Sequence, residues 1–404
     1  MRQVVITGMG AITPLGTDAR STWMAMMSGH CAIAPLVRFA SDDPRARIAA
    51  EVCGFDPTAH FNDKQLPLLD RVSQFALVAA REAVIQSGLK SSGGLGDRTA
   101  VIVGTGAGGQ HSQDDQFRRL YGERNPRVHP LTIVRLMANA PASHLSIEFG
   151  IRGPAFAVSS ACASANHALT LAMRMVRDGE VDIALAGGSE ACLTYGGLKS
   201  WEAMRVLADD TCRPFSAQRR GLVLGEGAGI FVLEAEDHAR QRGAPILAEF
   251  CGAGMSADAT DLVFPSVDGA ARAMAAALTD AGLALDEVDY INAHGTGTLA
   301  NDTTETAAIR QVFGARANRL AVSSTKSMHG HAMGAAGAIE LVSLIGALQD
   351  GVIPPTVNFV DPDPSCDLDY VPNIARKRSI QAGLSNSFAF GGLNAVVALK
   401  RAAS

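Results

Sequence analysis

Short β-branched or apolar runs ending in glycine turns alternate with helical patterns along most of the 404 residues. That alternation restricts the chain to an α/β fold with mixed or parallel sheets. "QVVITGMG" reads as strand and turn, "DRVSQFALVAAREAVIQSGL" as an amphipathic helix with a glycine stop, and "TAVIVGTGAGG" as strand again. "PAFAVSSA" leads into a helix that begins near Cys162 and ends around Arg174, Arg177 and Gly179, with cations and glycine at the end that favours them. A hydrophilic seam, "EAEDHARQRGAP", closes with Gly243 and Pro245, and beyond it the cycle of strands and helices resumes. The expected organisation is two related halves, 1–245 and 246–404, built around one core without a linker long enough for independent domains.

Net charge is −5, which supplies no basic excess for nucleic acid or an anionic membrane. Seven cysteines are widely spread without a CxxC pair, so neither a disulfide framework nor a thiolate zinc site is suggested. Free thiols fit a reducing compartment, and a cytoplasmic protein is expected. "MRQVVITGMGAITPLG" breaks at glycines and a proline before any long apolar run and does not read as a signal peptide. The longest apolar stretch, "GAAGAIELVSLIGALQDG", carries Glu340 and Asp350 and is too short and too polar to span a bilayer.

Several motifs bear on chemistry. Gly104, Gly106 and Gly109 fit GxGxxG, but the polar "QHSQDDQFRR" that follows lacks the apolar helix face a dinucleotide site needs. Ser323 and Lys326 fit SxxK, although Ser323 closes a strand where that motif requires a helix start. His329 and His331, with His294 and Glu340, could hold zinc, could be coincidence, or could catalyse by hydrogen bonding as neutral imidazoles. Cys212 beside Arg213 sits in a loop without a donor cluster and reads as an ordinary thiol. Cys162 is different. At the front of a helix it would face unpaired N–H groups and the positive end of the dipole, which favour a thiolate and can hold an oxyanion. His167 follows five positions later, about 140° around the helix. It therefore points sideways, and the partners of Cys162 must come from another segment.

"VVITGMGAITPLG", "SSACASANHAL", "AGGSEA", "RPF" with "GLVLGEGAG", "NAHGTGT", "SSTKSMHGHAMGAAGAIE" and "NSFAFGGLN" occur in that order. In this the chain resembles β-ketoacyl-acyl carrier protein synthases of the elongating type. The resemblance implies a thiolase-like α/β fold, two related halves forming a five-layered αβαβα core. It implies decarboxylative Claisen condensation of an acyl thioester with a malonyl thioester, without metal or organic cofactor. Cys162 matches the nucleophile, His294 and His331 the two histidines, and Lys326 and Glu340 a supporting pair. His329 is not the matched histidine. Phe390 matches a gating phenylalanine whose N–H joins that of Cys162 in an oxyanion hole. Acyl carrier protein is the implied partner, with Lys64, Arg127 and Arg205 as candidate contacts by position. A homodimer is implied, or a heterodimer with a chain-length-factor-like subunit, and "HPLTIVRLM" (129–137) resembles the dimer strip that also lines the acyl pocket. Departures are Ala389 and Leu393 in "FAFGGLN" and Ser216, Arg220 and Leu222 in "RPFSAQRRGL". "HGTGTLANDTTETAA" resembles specialised polyketide and nodulation-type synthases at least as well as fatty-acid ones. An idle acyl-binding subunit is the rival of another class. A degradative thiolase is disfavoured because "NSFAFGGLN" carries no second cysteine.

Overall fold

The computed structural model describes residues 1–38, 48–90 and 93–402. Five strands build the first half: β1 (Val4–Ile12), β2 (Thr99–Gly104), β3 (Ala155–Val158), β4 (Ile183–Glu190) and β5 (Gly227–Ala235). Five more build the second: β6 (Ala248–Ala257), β7 (Val288–Asn292), β8 (Ala321–Ser323), β9 (Ala382–Ala389) and β10 (Leu393–Lys400). The spatial order is β3-β2-β4-β5-β1 in one half and β8-β7-β9-β10-β6 in the other. In each half the second strand is parallel to the third and fourth, while the fifth is antiparallel to the fourth and first. One topology is thus used twice. The two sheets meet where Val5 and Ile6 of β1 pair with Glu249 and Ala248 of β6.

Helices complete the layers. α1 (Arg71–Ser87) and α2 (Ala140–Phe149) cover the outer face of the first sheet. α4 (Val267–Ala281) and α5 (Leu299–Phe313) share an apolar cluster with the outer face of the second. Between the sheets lie α3 (Ser164–Arg177) and α6 (Ala336–Asp350), which touch both. The result is helix, sheet, helix, sheet, helix: the five layers expected. Every residue of α6 from Ala336 to Leu348 is buried, as its all-round apolar sequence requires. Each large aliphatic side chain there contributes about 1.5–3 kcal/mol by leaving water.

α3 and α6 each follow the third strand of their half, so their front ends meet near the C-terminal edges of the parallel strands. Two glycines set the seating of α3. A Cβ on Gly104 would fall 2.4 Å from the Ser164 carbonyl carbon, and one on Gly188 would fall 2.8 Å from the Ala165 Cβ. Only glycine lets β2 and β4 come this close to the start of α3. The far end is held by an Arg177–Asp280 ion pair at 2.8 Å, which joins α3 to α4.

The polar segment after the glycine loop forms a helix directly, over Gln110–Phe117, with Ser112 and Gln116 as its buried residues. The loop nevertheless offers no phosphate cradle. The Gly106 and Ala107 N–H groups both donate to the buried Glu190 carboxylate, at 2.6 and 3.2 Å. Among the described residues no helix is long and apolar enough to cross a membrane.

Candidate active site

Cys162 lies two residues before α3, with Ala163 as the cap residue. Ala161 adopts φ +49°, a left-handed conformation that costs a residue with a Cβ about 1–2 kcal/mol. The strained turn points Cys162 toward the second half while the strand behind it ends at Val158. The thiol is buried, and burial pushes it up to about 12. The charge of Lys326 and the backbone N–H groups of Phe390 and Cys162 pull the other way without prevailing. This corrects the expectation of a resting thiolate. The helix begins beyond the thiol, and loss of water outweighs the nearby donors.

His294 follows β7 on a loop whose shape depends on a buried acid. The His294 and Gly295 N–H groups donate to the two Glu305 carboxylate oxygens, each at 2.8 Å. Asn386 Nδ2, on β9, donates to the same carboxylate at 3.0 Å. His331 follows the short helix Lys326–His329 through Gly330, at φ +66°, and its N–H donates to the Val223 carbonyl at 2.7 Å. The ligand-type atoms of Cys162, His294 and His331 all lie within 4.8 Å of one another. The imidazoles meet edge to face, centroids 5.4 Å apart.

Hydrogen bonding fixes the tautomers. Lys326 Nζ stands 3.4 Å from His294 Nδ1, and the Met333 N–H donates to His331 Nδ1 at 3.2 Å. With Nδ1 an acceptor in both rings, each neutral imidazole carries its proton on Nε2. His331 Nε2 is buried and has no partner among the described residues. Burial, reinforced by Lys326, holds both histidines well below the usual imidazole range. Lys326 also donates to Glu340 on α6, and both side chains are fully buried. Spacing alone would admit a metal. The donor set argues otherwise, because a metal-bound histidine presents a bare nitrogen and donates from the other, the reverse of what is found here.

Two cavities meet at Cys162. The outer one, about 280 Å³, is walled by His294, His331, Thr296, Thr298, Leu222, Phe264 and others. The inner one, about 180 Å³, is walled by Gly106, Ala107, Gln110, Glu190, Cys192 and Met333 among others. Cys162, Trp201 and Phe390 belong to both walls. The Phe390 ring stacks on Trp201, centroids 6.0 Å apart and planes 22° apart. The partition between the cavities is therefore an aromatic pair. The turn after Phe390 is made by Gly391 and Gly392, at φ +83° and +67°. Ala389 and Leu393 face each other across the β9–β10 pairing without positive φ.

The other candidates separate. His167 Nδ1 is 2.8 Å from Ser160 Oγ, outside the Cys–His–His cluster. His329 is buried with Nε2 3.0 Å from Thr325 Oγ1, and Ser323 Oγ is 2.8 Å from the Tyr290 hydroxyl. Cys212 lies buried behind the His294 loop, its Sγ 3.5 Å from the Thr296 carbonyl. Arg205 is exposed between Met204 and Val206, two residues of the outer cavity wall. Lys64 and Arg127 are exposed and belong to neither wall. Ser216 Oγ donates to the Asp361 carbonyl at 3.2 Å, Arg220 is exposed, and Leu222 faces the outer cavity. Sequence reasoning missed Glu305, Glu190 and Trp201. The two acids lack any sequence sign of burial: Glu305 sits in a polar helix start, and Glu190 closes a strand. Trp201, one of two tryptophans in the chain, was the available signal.

Comparison with known proteins agrees with this architecture. The profile "Beta-ketoacyl synthase, N-terminal domain" matches residues 1–239, and "Beta-ketoacyl synthase, C-terminal domain" matches 247–360. Nodulation protein E of Rhizobium sp. (strain N33) is 50% identical over 400 residues, 99% of each chain. 3-oxoacyl-[acyl-carrier-protein] synthase 2 of Synechocystis sp. is 41% identical over 408 residues, 99% of this chain and 98% of that one. The solved ishigamide ketosynthase/chain length factor superposes with a TM-score of 0.95 at 37% identity, covering all of both chains. With its doubled sheet, its cysteine between two cavities and these full-length relatives, the chain belongs to the β-ketoacyl synthase family.

Proposed function

We propose that the chain is a 3-oxoacyl-[acyl-carrier-protein] synthase that elongates through an acyl-Cys162 intermediate. The observation that carries this is the placement of Cys162 and two Nε2–H imidazoles within 4.8 Å at the junction of two cavities. The Cys162 sulfur attacks an acyl thioester on a carrier protein, the thiol proton passes to the departing carrier sulfur, the carrier leaves as a free thiol, and the acyl chain extends into the inner cavity. The Cys162 and Phe390 N–H groups, which both favour negative charge at the sulfur, hold the oxyanion of this step. A malonyl thioester then occupies the outer cavity and loses CO2. His294 and His331 donate from Nε2 to the thioester oxygen as the enolate forms. The enolate carbon attacks the acyl-Cys162 carbonyl, the sulfur leaves, and the product is a 3-oxoacyl thioester two carbons longer. Lys326 positions His294, and Glu340 holds Lys326.

Acyl carrier protein is the partner this reaction requires, and Arg205 at the outer rim is the best placed of the three candidate contacts. A second copy of the chain is the natural cover for Ile133, Val134 and Met137, which are 64, 54 and 45% exposed, and for Phe156, 38% exposed on the edge strand β3. The likeness to a ketosynthase/chain length factor pair supports a second arrangement, with a related but non-identical subunit at that face. A binding subunit without chemistry has no use for the Cys–His–His cluster. Seven unpaired cysteines fit the cytoplasm as the working compartment.

The test is to incubate the protein with an acyl-loaded carrier and map the adduct by peptide mass. An acyl group on Cys162, absent from Cys162→Ala, is the expected result. An adduct on any other cysteine overturns the assignment.

A further inference from the structure

Leu222 is held between the two histidine loops. On one side the Gly221 N–H donates at 3.0 Å to the carbonyl of Gly297, on the loop that carries His294. On the other, the His331 N–H donates to the Val223 carbonyl at 2.7 Å. The backbone of Leu222 is itself occupied. Its N–H donates to the Val206 carbonyl at 2.9 Å, and its carbonyl accepts from the Ala208 N–H at 2.8 Å. The side chain is left to meet the site, buried in the apolar cluster that also holds Cys162 and Leu198.

This side chain is a wall with space on both faces. It borders the outer cavity together with Cys162, His294 and His331. It also borders a third hollow of about 180 Å³, lined by Leu198, Leu207 and Leu224 among others. A packed interior resists added volume because each side chain is backed by its neighbours. Leu222 lacks full backing, so it can turn toward the third hollow and open room beside the imidazoles. In the condensing reading the two Nε2–H groups hold the thioester oxygen of the extender, and the attacking carbon is bonded to the thioester carbonyl carbon. A substituent on the attacking carbon therefore lies in the outer cavity, in the space that Leu222 borders. Resting on that reading, we propose that the chain also accepts extender units with a methyl group on the attacking carbon, and that Leu222 determines this tolerance. A methylmalonyl thioester loses CO2, and the substituted enolate carbon bonds to the acyl carbonyl carbon. The bond to the Cys162 sulfur breaks, and the sulfur takes a proton from solvent. The product is a 2-methyl-3-oxoacyl thioester.

The experiment gives the full-length protein an acyl-loaded carrier and equal amounts of malonyl- and methylmalonyl-loaded carrier, the latter as both epimers. Branched and unbranched products are resolved by mass, and their ratio reports the relative kcat/KM of the two extenders. In wild type the branched product should reach at least about one-tenth of the unbranched one, a smaller penalty than a closed apolar pocket imposes on one extra carbon. Leu222→Phe should lower the ratio roughly tenfold or more, and Leu222→Ala should not lower it. Thermal melting confirms that each variant is folded. A smaller branched share in wild type, a ratio that Leu222→Phe leaves unchanged, or one that both substitutions lower overturns the role of Leu222 and leaves the condensing reading standing. No 3-oxoacyl product from either carrier overturns both.

Discussion

His294 and His331 give up Nδ1 to Lys326 and to the Met333 N–H, so each ring directs a protonated Nε2 toward the space beside the thiol. Replacing His331 with alanine should therefore lower malonyl decarboxylation by about 10²–10³-fold, the usual cost of losing one donor to a developing oxyanion. The pH dependence follows from the same burial. Both imidazoles lie well below their usual range, so both are neutral throughout pH 6–8. Decarboxylation measured across that window should be flat, and a rate that rises with protonation near pH 6.5 would contradict neutral donors. Cys162 behaves oppositely. With its thiol raised to about 12, the thiolate fraction grows about tenfold per pH unit from 7 to 10. Alkylation of Cys162 by iodoacetamide, read by peptide mapping, should climb over that whole range without a plateau near pH 8. Cys162, His294 and His331 were legible from their motifs. Nε2–H donors were implied by the family resemblance, but what fixes that tautomer was not legible, because it depends on a backbone N–H at Met333 and an ammonium held by α6.

At the scale of elements, the seating of α3 decides where the nucleophile stands. Gly104 and Gly188 allow β2 and β4 to touch the start of that helix, and a side chain at either position would meet backbone or Cβ atoms within 3 Å. Gly104→Val should destabilise the protein by about 1–3 kcal/mol through overpacking and displace Cys162. Loss of acylation together with a lowered melting temperature is the expected result, and an unchanged melting temperature would contradict the tight seating. α6 could be read as buried from its all-round apolar sequence. The helix after Gly109 could not, since "QHSQDDQF" has little apolar face and is held partly by distant groups. Its Ser112 N–H donates to Asp70 at 2.6 Å, and Asp114 accepts from the Gly196 N–H at 3.2 Å. Such support comes from segments 42 and 82 residues away and leaves no local trace.

Across the whole molecule, the repeated strand order brings two equivalent places together and gives them different work. The front of α3 supplies the thiol, and the short helix and loop that precede α6 supply the lysine and His331. The repetition of rhythm was visible in the sequence, while the strand order was not, because the sheets join through a pairing of β1 with β6, residues far apart in the chain. The exposed edge at β3 belongs to this scale as well. Val134→Glu should weaken self-association, seen as a shift from dimer to monomer in sedimentation, and an unshifted dimer would place the interface elsewhere. The division of labour between halves is tested most directly by following CO2 release and 3-oxoacyl product together, with acyl- and malonyl-loaded carriers. The wild type should yield both in equal amounts, and Cys162→Ala should release CO2 without condensation product. His331→Ala should lose CO2 release while still forming acyl-Cys162. Condensation product from Cys162→Ala, or undiminished CO2 release from His331→Ala, would contradict the account.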